Sequence, residues 1–197
     1  MQYRQVEELL LQSLEQELGG EKIYDTALNC VINPDLRREW MRYLDETKTH
    51  VTALTKVCEE MSIDPAKETP GRAIIRKMGV ALRDAIDSSR SAGNAAEAEL
   101  VAAECVVLAE TKDHLDWELL GKCAEHMSGS AARTLYAAYE KIENQEDKHL
   151  YHSRGFCREL WMQYLGMHAI LPPPEETEQV TTAIGAAEAA QEAEERR

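Results

Sequence analysis

Apolar residues recur at three- and four-residue steps along four stretches, each far too long to be a strand. They cover about residues 2–31, 35–62, 94–127 and 130–166. The second shows the pattern best, with Leu36, Trp40, Tyr43, Thr47, Val51, Leu54, Val57 and Met61 on one face. Segments of this length make helices of roughly 40–55 Å at 1.5 Å per residue. A shorter segment, about 71–91, carries Ile74, Met78, Leu82 and Ile86 at the same spacing. Helix breakers fall between the segments, at Asn33-Pro34, Pro70, Gly93 and Ser128-Gly129. A single Phe and an abundance of Ala, Leu and Glu favour helix over sheet. The chain therefore reads as all-α.

Short turns join the first helix to the second and the fourth to the fifth, so each pair predicts an antiparallel hairpin. The connection between the hairpins contains the third helix. Two hairpins with one long crossover is the ferritin-like four-helix arrangement, here with an extra crossover helix. Gly19-Gly20 interrupts the first stripe at a cost of about 2 kcal/mol, which predicts a kink or a close helix contact. The bundle is expected to fill residues 1–171. Residues 172–197 open with Pro-Pro-Pro and continue as an Ala/Glu-rich acidic tail. From 175 onward it holds seven Glu against two Arg, a net charge of −5. Such a tail is either disordered or a helix that needs a partner.

Charged residues stand where a bundle core should be. Residues 46–50 read ETKTH and residues 110–114 read ETKDH, so each places a Glu four residues before a His on one helix face. The fifth helix contains Glu146-x-x-His149, with Glu143 one turn earlier, and the first has Glu21 beside its stripe. Burying four carboxylates without compensation is costly. Two divalent cations would compensate them, and di-iron or di-manganese bundles use one Glu from each of two helices and Glu-x-x-His from the others. The candidate metal ligands are Glu21, Glu46, His50, Glu110, Glu146 and His149. His114 and Glu143 are reserves, the former as a residue that could hold a carboxylate. The implied cofactor is two Fe or Mn ions, reacting with O2 or peroxide. Tyr24, Tyr43, Tyr139 and Trp117 fall near this layer as packing residues. His126, His152 and His168 match no ligand pattern, and the stretch from His152 to Trp161 has no assigned role.

The net charge of −14 argues against nucleic acid and anionic membrane surfaces as partners. No run of about 18 apolar residues is present to cross a membrane. Five widely spaced cysteines without a CxxC read as reduced thiols in a cytoplasmic protein. The alternative to a metal protein is a non-enzymatic helical bundle that dimerises or binds a protein partner, through the tail for instance; metal storage in a cage is a third reading.

Around GEKIYDTAL and YLDETKTHV the chain resembles bacterial ferritin-like proteins of the YciE/YciF type. Gly20-Glu21-Lys22 and Leu44-Asp45-Glu46-Thr47 stand where that family carries A-E-K-Q-like and L-E-E-T-like stretches, and KMGVALRDAIDSS resembles its crossover helix. The likeness runs over about residues 8–150. It implies a ferritin-like bundle, a stress-related role and no defined reaction.

Overall fold

The computed structural model describes residues 3–197, so the expected start of the first helix at residue 2 lies outside them. Seven helices follow in order: α1 (Tyr3–Ala27), α2 (Pro34–Glu60), α3 (Pro70–Ser91), α4 (Ala95–His126), α5 (Ser130–Tyr164), α6 (Pro174–Thr177) and α7 (Ala183–Glu195). Side-chain caps set four of the starts, Thr182 holding that of α7 by accepting from the Gly185 N–H. Asn33 accepts from the backbone N–H groups of Asp35 and Leu36, Thr69 from Arg72, and Asn94 from Glu97. Pro34 and Pro70 occupy first-turn positions, where a missing N–H costs nothing.

The four long helices pack as a bundle. α1 touches α2 and α4, and α5 touches the same two. α3 lies across α1 and α4. The turn between α1 and α2 is tied to α4 by Glu99, whose carboxylate accepts from Ile32 N at 2.7 Å and Asn33 N at 2.6 Å. Buried Arg72 ties α3 to α1 through Glu15 at 2.7 Å, and Arg76 reaches the same carboxylate. The Gly19-Gly20 pair does not break α1, which runs through it without interruption. It allows close approach instead: a Cβ on Gly79 of α3 would sit 3.7 Å from the Gly19 Cα, and one on Gly20 would sit 3.5 Å from Thr47 of α2.

The interior is divided along its length. One apolar cluster gathers Ile23, Tyr24, Trp40, Val106 and Phe156. A second gathers Leu10, Leu14, Leu54, Trp117 and Ile142. Between them, each long helix turns polar residues inward: Glu17 from α1, His50 from α2, Glu110 and Asp113 from α4, Glu146 and His149 from α5. Three of the cysteines are buried and two are partly buried, all as free thiols.

The acidic tail folds back on its own chain. α6 and α7 pack on α5 and on each other. Val180 and Ala189 join Leu150 and Tyr151 in a small apolar cluster. Glu175 takes a bidentate pair from Arg158 at 2.5 and 3.0 Å, and Glu159 accepts from Ile170 N and from Arg197. The partner that the tail needs is thus supplied by α5, and the stretch His152–Trp161 is the docking strip. Gly155 is part of it, since a Cβ there would meet the Glu175 carboxylate at 2.7 Å. Among the described residues no helix is long and apolar enough to cross a membrane.

Candidate metal centre

The polar layer contains two overlapping groups of metal-competent side chains, all buried: Glu17, His50 and Glu146, and Glu110, Glu146 and His149. Within each group the donor atoms lie within 4.8 Å of one another, and Glu146 belongs to both. His50 Nδ1 is 2.9 Å from Glu146 Oε1 and 3.3 Å from Glu17 Oε1. His149 Nδ1 is 3.4 Å from Glu146 Oε1 and 3.6 Å from Glu110 Oε2. The two imidazole rings are nearly parallel, with centroids 5.6 Å apart.

Both histidines face the centre with Nδ1 because Nε2 is engaged elsewhere. His50 Nε2 donates to Gln145 Oε1 at 3.1 Å, and His149 Nε2 to Glu46 Oε2 at 2.8 Å. A neutral imidazole that donates from one nitrogen presents a lone pair at the other. Glu17 is aimed by the Trp117 indole N–H, which donates to Oε1 at 2.7 Å. What remains is a set of buried atoms with no aligned hydrogen bond: both Nδ1 atoms, both oxygens of Glu146, Glu17 Oε2, Glu110 Oε2 and Asp113 Oδ1. Buried acceptors so close together, without aligned hydrogen bonds, call for positive charge between them, whether protons on the imidazoles or a bound cation.

The electrostatics register the same crowding of buried negative charge. Burial pushes Glu17 up to about 7, helped by Glu146 and opposed by His50. Burial, then the charges of Glu17, Glu146 and Glu110, holds Asp113 well above the usual carboxylate range. Burial opposes a charged His50, but Glu17 and Glu146 outweigh it and raise the imidazole to about 11. His149 rises to about 9 in the same way, against burial and through Glu110, Glu146 and Glu46. Glu146 is lowered despite burial, because His149 and His50 flank it. Protons on two imidazoles balance two of four buried carboxylates; a pair of divalent cations balances all four.

Four of the sequence candidates meet here: His50, Glu110, Glu146 and His149. Four do not. Glu21 is partly exposed; at that turn α1 directs Gly20 and Tyr24 inward, and Glu17 supplies the acid one turn earlier. Glu46 stands outside the centre and holds His149 from behind. His114 is half-buried and bonded to Asp147 at 2.8 Å, so it does hold a carboxylate, though one outside the centre. Glu143 is exposed and accepts from the Tyr139 hydroxyl. The two ETK(T/D)H motifs therefore use opposite ends, the His of the first and the Glu of the second. Residues four apart on a helix differ by about 6 Å along its axis, so one layer reaches only one of them. Sequence reasoning missed Glu17 and Asp113. Asp113 had a signal: it follows Glu110 by three, as His149 follows Glu146. Tyr43 packs against His149 with ring centroids 4.2 Å apart and hydrogen-bonds His152 Nδ1 at 3.0 Å, so His152 is a buried packing link.

Set against protein-family models, curated proteins and solved structures, the chain matches none.

Proposed function

We propose that this chain is a di-metal carboxylate protein of ferritin-like architecture, holding two iron or manganese ions between α1, α2, α4 and α5. Glu17, His50 and Glu146 would hold one ion, and Glu110, Glu146 and His149 the other, with Asp113 adding charge. One observation carries this reading: two buried imidazole nitrogens and the oxygens of three buried carboxylates converge, and both Nδ1 atoms, both Glu146 oxygens, Glu17 Oε2 and Glu110 Oε2 have no hydrogen-bond partner. The fold supports it too, since the α1–α2 and α4–α5 hairpins flank a crossover helix, as in ferritin-like bundles. The likeness to the YciE/YciF type adds the expectation of a stress-related role.

Two redox-active ions at such a site supply electrons for the reduction of O2 or peroxide, giving ferroxidase- or oxidase-like chemistry. The protein's part is positional. Glu46 and Gln145 fix the imidazole tautomers, Trp117 orients Glu17, and the apolar clusters on either side keep bulk water out. The test is metal analysis of the purified protein beside Glu146→Ala and His149→Ala, with oxygen consumption on addition of ferrous iron. About two ions per chain, lost in the variants, is expected; no stoichiometric metal in the wild type overturns the reading.

A second reading, the bundle as a dimerising interaction protein, is favoured by one observation. Leu108, Leu115 and Leu119 are exposed on α4 at helical spacing. Native mass determination tests it, and a monomer insensitive to concentration would exclude self-association.

A further inference from the structure

A cavity of about 220 Å³ opens beside the candidate centre. Glu146 is part of its lining, together with Glu118, Glu143 and Asp147. Thr181, Thr182 and Ala183 of the folded-back tail also line it. Glu118 and Glu143 are exposed and Asp147 is partly buried, whereas Glu146 is 1 % exposed with neither oxygen hydrogen-bonded. Carboxylates thus run from solvent to a buried one flanked by the two imidazoles of the centre. His114 stands at the side, bonded to Asp147, with its ring 5.7 Å from that of Tyr151. The tail segment is fixed just before it joins the cavity, because His152 Nε2 donates to the Val180 carbonyl at 3.2 Å.

We infer that this cavity is the entry route for divalent cations to the centre, and that the C-terminal segment 181–183 is built in as its wall. The inference rests on the di-metal reading. His114 offsets one of the lining carboxylates, and the cleft stays net negative; such a cleft raises the local concentration of cations and speeds their association by about 10- to 1,000-fold, an effect that falls with salt. Glu146 is the ligand common to both groups, so an ion arriving there meets the donor it can share. The tail has a function under this inference: it walls the cavity that the carboxylates of α4 and α5 also line.

The experiment follows uptake of cobalt(II) alone by metal-free protein, using the visible absorption of the bound ion in stopped flow. Three proteins are compared: wild type, the triple variant E118Q/E143Q/D147N, and Ala183→Trp, which places a ring in the cavity from an exposed position. All three are expected to bind about two ions per chain at equilibrium. The triple variant should load about tenfold more slowly at low salt and lose most of its salt dependence. Ala183→Trp should load more slowly at every salt concentration. Wild-type uptake rates in either variant, with two ions still bound, overturn the entry route and leave the centre standing. A wild type that takes up no cobalt overturns the centre and the route together.

Discussion

At the residue scale, each imidazole of the centre is committed at its outer nitrogen, and that commitment should be measurable. Glu46→Gln keeps an acceptor beside His149 but removes the charge, so affinity for the ion held by Glu110, Glu146 and His149 should drop roughly 10- to 100-fold. Equilibrium titration with manganese or cobalt reads this, and an unchanged affinity would mean that Glu46 does not support His149. The residues differ in how far the sequence announces them. Glu146-x-x-His149 is legible because an i,i+3 pair of donors on a buried stripe has few other uses. Glu17 is not, since it shares a face with Glu21 and only the inward turn at Gly20 and Tyr24 decides between them. Asp113 is hidden inside ETKDH, where the more conspicuous His114 draws the eye to the wrong spacing.

At the scale of elements, helix boundaries were readable from the breakers at Asn33-Pro34, Pro70, Gly93 and Ser128-Gly129, while the caps Thr69 and Asn94 beside them emerge only in the structure. The docking of α6 and α7 was not readable, because it depends on pairs far apart in sequence, such as Arg197 with Glu159. Gly155→Ala tests the docking strip. Its new methyl would press on Glu175 and on Pro173, costing about 1–3 kcal/mol and making the C-terminal segment easier to cleave in limited proteolysis. Unchanged protease resistance would show that the tail is not seated there. The tail should also respond to pH. Glu176 is raised to about 7, by burial first and then by Glu39 and Asp35. A raised folded value means that its contribution is fully present below its ordinary value of 4.5 and is lost as pH rises through about 7. Glu159 acts in the opposite sense: burial is outweighed by Ile170 N–H, Arg158 and Arg197, its value is lowered, and its contribution is lost only in acid below 4.5. Amide exchange in residues 174–195 should therefore quicken between about pH 5 and pH 8, after correction for intrinsic rates, and Glu176→Gln should flatten that trend.

At the scale of the whole molecule, the di-metal proposal makes the centre a site that trades stability for binding. Burial first, and then the charge of Glu146, raises both Glu17 and Asp113 above the usual carboxylate range. Replacing both by their amides removes that repulsion, while the amide oxygen introduced by Glu17→Gln can still accept from Trp117. The metal-free double variant E17Q/D113N should be more stable than metal-free wild type by about 1–3 kcal/mol in urea denaturation. With cation at a hundredfold excess over its dissociation constant the wild type should gain about 2.7 kcal/mol and the variant much less. A variant less stable than wild type without metal would show that these acids already have adequate partners. The overall architecture needed little beyond periodicity and breakers, because four long amphipathic helices with short turns have few ways to pack.

The split interior has one more consequence. Two oily cores joined by a charged slab make a rod with a seam across its waist, and helices usually loosen from their tips. Stripped of cations, this one should loosen from its middle as well: protons near Thr47, Glu110 and Glu146 ought to trade with deuterium sooner than those beside Leu36 or Leu120, and filling the seam with ions should abolish the difference.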